Sequence, residues 1–311
     1  MPAYVALGDS YAAGAGAGTP LNACFRSVAG YPVQIARVLE RDVSLQACRG
    51  ATVADVRAVQ LAALDSSTRL VTLTVGGNDL DFTDVLTECA KPTWMTQSKE
   101  RVEAALTFVQ TELRTMLTDL YAEVRALAPR ADVVVTGYPR LFAGKDCNLA
   151  TFLNDHDMQR MNDIADELAA VIGAAAASSG AQFVDVREVF LGHAVCEEDE
   201  WLRGMSRPRE VSYHPNTAGH SAYALQIAEA LGASYADATE STREPVIEQG
   251  PPSGSKEAVF APPDLFSAES MEGARQWGLD ADELAALAER TEDREAYERL
   301  WEMDEFVRAR R

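Results

Sequence analysis

The stretch Tyr4-Val5-Ala6-Leu7-Gly8-Asp9-Ser10-Tyr11 runs an apolar segment straight into a turn of small and polar residues. Residues 3–7 show no polar alternation, as expected of a strand covered on both faces in a parallel sheet. Residues 43–47, 70–75, 131–136 and 181–186 repeat the pattern. Helical periodicities separate these runs, over residues 31–41, 53–64 and 155–177 and after Thr217. The longest carries Val102, Leu106, Val109, Leu113, Leu117, Leu120 and Val124 at three- and four-residue steps. Thr52 followed by Asp55 reads as a capping box. The alternation predicts an α/β fold: a three-layer α/β/α sandwich around a five-stranded, mostly parallel sheet, with a C-terminal helical extension. Active sites of such sheets lie beyond the carboxyl ends of the strands. Ser10, Gly50, Asn78 and Tyr138 all fall just past expected strand ends.

The chain has 311 residues, enough to bury a full core, and a net charge of −20. That charge argues against nucleic-acid binding and gives no support to adsorption on anionic membranes, though a lipid substrate needs no basic surface. No apolar run reaches membrane-spanning length. Met1-Pro2 leads directly into the first strand without a signal-peptide pattern, which fits a cytoplasmic protein or a processed form. The character changes near residue 240, predicting a catalytic domain over 1–239 and an acidic, largely helical extension over 240–311. Residues 249–255 read as a linker or surface loop. In the last segment Ala296, Leu300, Met303 and Val307 form one apolar stripe, expected either to dock on the core or to serve as a lid or partner-binding face.

A serine at the end of a strand reaches an ester carbonyl if a base takes its proton. Ser10 is the candidate nucleophile and His214, in His214-Pro215-Asn216, the candidate base. Gly76-Gly77-Asn78-Asp79 offers oxyanion donors. Asp9 adjoins Ser10 and points elsewhere, so turn-holding or helix capping is its expected role; Asp79 is expected to brace the Asn78 loop. His156, His193 and His220 lack metal-ligand spacing and are expected to serve the surface or core, with His193 and His156 able to meet in space. Gly14, Gly16 and Gly18 lack nucleotide-binding spacing and are expected to let the chain pass close to the substrate.

These motifs resemble the SGNH hydrolases, the GDSL esterase/lipase family, and in particular its actinobacterial lipase and phospholipase branch. Gly8-Asp9-Ser10-Tyr11 is similar to the nucleophile block, Cys48-Arg49-Gly50-Ala51-Thr52 to the second block, Val75-Gly76-Gly77-Asn78-Asp79 to the third and His214-Pro215-Asn216 to the histidine block. Tyr138-Pro139-Arg140 and the run from Phe190 to His193 also resemble that branch. The resemblance covers roughly residues 3–232. It implies catalysis by Ser10 and His214, an oxyanion hole built from Ser10, Gly50 and Asn78, and no metal or cofactor. The family's aspartate three residues before the histidine is Val211 here. A Ser–His dyad assisted by the backbone carbonyl of Val211 or Ser212 is therefore expected, with Glu210 as the alternative acid. The resemblance further implies Cys24–Cys48 and Cys147–Cys196 disulfides, leaves Cys89 unpartnered, and favours an exported ancestry. The expected function is hydrolysis of carboxylic esters, with lipid acyl esters as substrates. The alternatives are deacetylation of, or acyl transfer to, a sugar or small natural product, and a non-catalytic binding protein acting through the C-terminal helix.

Overall fold

The computed structural model describes residues 3–149, 151–233, 243–257, 259–291 and 293–311. The expected boundary at 239/240 lies outside the described residues. Five strands come from the first part of the chain: β1 (Tyr4–Gly8), β2 (Val43–Leu45), β3 (Leu70–Thr74), β4 (Asp132–Thr136) and β5 (Gln182–Val184). The sheet has a sixth, β6 (Ile247–Gln249), and the order is β5-β4-β3-β1-β2-β6. All neighbours pair in parallel. The expected count of five is thus one short, and residues 249–255 are not simply a linker. Three residues between Pro245-Val246 and Gly250 are too short to signal a strand; β6 exists because the open edge of β2 pairs it, Val43 against Ile247 and Leu45 against Gln249.

The helices of the first part are α1 (Ser10–Ala13), α2 (Tyr31–Val38), α3 (Val53–Ala58), α4 (Phe82–Cys89), α5 (Ser98–Phe108), α6 (Arg114–Leu127), α7 (Asp155–Ser179) and α8 (Thr217–Ala230). Parallel connections are right-handed. The chain steps one way from β1 to β2 and the other way through β3, β4 and β5, so its crossover helices fall on opposite faces. Accordingly α2 packs with α8, whereas α6 packs with α3 and α7. The long expected helix is one rod interrupted by a π-helical turn at Val109–Leu113. Thr52 caps α3 through the predicted box with Asp55. The reversal between β1 and β3 opens a crevice at their carboxyl ends.

The extension adds α9 (Ala268–Gln276), α10 (Ala281–Ala288) and α11 (Arg294–Arg308). The stripe of α11 is buried: Leu300 and Val307 are inaccessible in a small second core with Trp94, Met95 and Phe152. Trp94 Nε1 donates to Ser270 Oγ at 3.1 Å, and Thr93 N–H donates to the buried Asp304 carboxylate. The helix docks on its own chain. Disulfides join Cys24 to Cys48 and Cys147 to Cys196, and Cys89 is a buried free thiol.

Candidate active site

β1 ends at Gly8, whose φ of +124° and position 2.1 Å (measured from an added Cβ) from Thr74 O exclude any side chain. Asp9 N–H donates to Thr74 O at 2.9 Å, so the turn leaves the sheet at the β1–β3 crevice and Ser10 opens α1. Asp9 faces away from the histidine. Its Oδ1 accepts the Tyr11 N–H at 2.9 Å, and its Oδ2 accepts the Tyr138 hydroxyl at 2.5 Å. Burial pushes its carboxyl up to about 7, opposed by these hydrogen bonds.

Ser10 Oγ lies 2.7 Å from His214 Nε2 across 204 residues of sequence. His214 Nδ1 lies 2.9 Å from the carbonyl oxygen of Ser212. A carbonyl only accepts, so Nδ1 carries the ring proton, and Nε2 is left to accept the Ser10 hydroxyl. Ser212 is therefore the orienting partner. The carbonyl of Val211 instead accepts the His214 backbone N–H at 3.4 Å, and the occupied Nδ1 leaves no place for Glu210. Burial lowers the His214 ring to about 4, partly offset by the Ser212 hydrogen bond. Tyr213, at φ +59°, makes the sharp turn between orienting carbonyl and base, and its carbonyl accepts the Tyr11 hydroxyl at 2.9 Å.

Asn78 follows β3. Its Nδ2 donates to Ala51 O at 2.9 Å, and the amide's second N–H is left for the pocket. Asp79 accepts the Val53 N–H at 3.1 Å with either oxygen, tying this loop to the start of α3; burial raises its carboxyl to about 6. Gly50, at φ +77°, immediately precedes Ala51, whose carbonyl holds the Asn78 amide. Gly77 N–H donates to the Tyr138 hydroxyl at 3.0 Å, which closes a chain from the Asn78 loop through Tyr138 to Asp9.

Ser10, Asn78 and His214 open onto one pocket of about 700 Å³, part of it open to solvent. Its walls are largely apolar, with Phe82 and Leu86 from α4, Ala165 and Leu168 from α7, and Leu141, Tyr213 and Phe260. Among the described residues, no group of three or more His, Cys, Asp or Glu side chains is arranged to hold a metal. His193 stacks on Trp201 at 3.5 Å, and His156 is exposed on α7. His220 is a core residue, with Nε2 on Ala15 O at 3.1 Å. The glycines of the small-residue run meet protein instead of the pocket: a Cβ on Gly16 would lie 2.3 Å from Pro215 O and 3.0 Å from His214 Cβ, and one on Gly14 would lie 2.8 Å from Gly30 Cα. Tyr11, Tyr138 and Phe260 belong to the site without having been assigned a role from sequence. The first two sit inside the resembling motifs; Phe260 carries no signal at all.

Three comparisons agree with this geometry. Residues 6–222 match the model of the GDSL-like Lipase/Acylhydrolase family. A lipase of Streptomyces rimosus is 38% identical over 223 residues, covering 70% of this chain and 82% of the relative. A crystal structure of phospholipase A1 from Streptomyces albidoflavus superposes with a TM-score of 0.69 at 38% identity, covering 73% of this chain and 98% of its own. The extracellular lipase structure from Streptomyces rimosus gives a TM-score of 0.68 at 37% identity, with the same coverages. The chain belongs to the GDSL-like lipase/acylhydrolase family and is a serine hydrolase of carboxylic esters.

Proposed function

We propose that the protein hydrolyses lipid acyl esters through a Ser10–His214 dyad and an acyl-enzyme intermediate. The observation that carries this reading is the 2.7 Å contact between Ser10 Oγ and His214 Nε2 at the mouth of an apolar pocket. Ser10 Oγ attacks the acyl carbonyl as its proton passes to Nε2, and the imidazolium then protonates the departing alkoxide. Water repeats the cycle on the acyl-serine and releases the acid. The Ser212 carbonyl holds the ring and partly stabilises its cationic form. The Ser10 and Gly50 N–H groups and Asn78 Nδ2 are the proposed oxyanion donors. None of these steps calls for a metal or cofactor.

Walls of Phe, Leu and Ala side chains favour an aliphatic acyl chain over the acetyl group of a sugar. The buried stripe of α11 favours self-contact over a protein partner. Two disulfides support export to an oxidising compartment. The test is turnover of p-nitrophenyl esters of two, eight and sixteen carbons. Ser10→Ala and His214→Ala are each expected to lose activity by roughly 10⁴-fold or more, and Asn78→Ala by roughly 10²- to 10³-fold in kcat. Undiminished turnover by Ser10→Ala refutes the mechanism.

A further inference from the structure

Phe260 lies beyond the family-matched stretch of residues 6–222, yet it lines the pocket that holds Ser10 and His214. The chain reaches it by a tightly held route. After β6, Gly250 N–H donates to Leu45 O at 3.1 Å, and the buried Arg26 guanidinium donates to Gly250 O at 2.5 Å and Pro251 O at 3.2 Å. Ser253 accepts Gln60 Nε2 at 2.9 Å, and the same amide group bridges the N–H and C=O of Gly8 at 2.7 and 2.9 Å.

The segment then crosses both loops of the proposed oxyanion hole. Lys256 N–H donates to Gly50 O at 3.1 Å, and a Cβ on Gly50 would lie 2.0 Å from Lys256 O. Lys256 Nζ reaches Asp81 Oδ1 at 2.7 Å on the loop that follows Asn78. Phe260, 2% exposed, packs its ring edge-on to Tyr213 with centroids 4.9 Å apart. A segment fastened at so many points is a fixed wall and not a hinged lid.

We propose that the chain after β6 is a built-in wall of the acyl pocket, and that Phe260 is a specificity-determining residue that limits the acyl chain the enzyme accepts. This rests on the reading of the pocket as the acyl site of Ser10. Shortening the side chain adds apolar room, and enlarging it removes room. One or two methylenes of fit are worth on the order of tenfold in kcat/KM.

The test measures kcat/KM for p-nitrophenyl esters of two, eight and sixteen carbons with the full chain carrying Phe260→Ala, Phe260→Leu or Phe260→Trp. The sixteen- to eight-carbon ratio is expected to rise about tenfold in Phe260→Ala, to rise less in Phe260→Leu, and to fall about tenfold in Phe260→Trp. Should Phe260→Ala fail to fold by near-ultraviolet circular dichroism, the Leu and Trp variants carry the comparison. A ratio that stays fixed while all rates drop together, or that moves the same way in the smaller and larger variants, overturns the proposal and leaves Phe260 a packing residue. Ser10→Ala, run in parallel, separates the two readings: activity surviving there refutes the dyad, whatever the chain-length profile.

Discussion

His214, the proposed base, has its Nδ1 on a backbone carbonyl and not on a carboxylate. The Ser212 carbonyl at 2.9 Å orients the ring but carries only a dipole, so burial dominates and draws the ring down to about 4. A histidine acting as the proposed base must be neutral, so kcat/KM should hold to lower pH than an ordinary histidine allows, with its acid limb near pH 4 instead of 6.5. A pH–rate profile between pH 3.5 and 8 reads this directly, and an acid limb near 6.5 contradicts it. Stability follows its own sign. His220, fully buried, is also held near 4, so the unfolded chain takes up its proton first as the pH falls from 6.5. The folded state therefore loses up to about 3 kcal/mol from this ring across that window. Asp9 opposes it: the folded protein keeps that proton up to about 7, so falling pH from 7 to 4 favours the folded state there.

Loops carry the site, and particular covalent and hydrogen-bonded ties hold them. The Gly50 loop is fastened by the Cys24–Cys48 disulfide, whose cysteines are 24 residues apart, and by Arg49 N–H donating to Cys24 O at 3.0 Å. Replacing both cysteines with serine should lower stability by about 3 kcal/mol through loop-closure entropy. Urea titration measures this, and kcat should fall further than KM changes, because Gly50 is a proposed oxyanion donor. Short apolar strands and the capped α3 were legible because each is dictated by neighbours within a few residues. α4 and α9 were not anticipated. α4 begins at Asp81 in a left-handed conformation with no side-chain cap, so no start signal marks it. α9 does have a Ser267 cap, but its sequence is mostly polar and gives little apolar periodicity.

The extension and the catalytic layers share a sheet edge, a pocket wall and a second core. Leu300 is at 0% exposure within that second core, so Leu300→Ala should cost about 2–5 kcal/mol. If the molecule unfolds as one unit, the loss shows as a lower midpoint in a single urea transition, with hydrolysis and near-ultraviolet dichroism lost together. An early, separate transition that leaves esterase activity intact would show that α9–α11 melt independently of the site. The net charge of −20 gives the molecule as a whole no long-range attraction for anionic lipid surfaces, although Arg209 stands in the pocket wall.

The sequence by itself determined the α/β alternation and singled out Ser10 and His214 as the proposed reacting pair. Runs of apolar residues enforce local geometry, and a nucleophile and base need particular side-chain types in small, sharply turned motifs. Tertiary structure alone decided which carbonyl holds His214, since Val211 and Ser212 differ by one residue and only the turn at Tyr213 selects between them. It also decided that Gly16 makes room for the His214–Pro215 segment, that the extension adds a sixth strand, and that Phe260 lines the same pocket as Ser10, 250 positions away in the chain. Those outcomes depend on which surfaces meet once the sheet has formed, and no local pattern of residues encodes such a meeting.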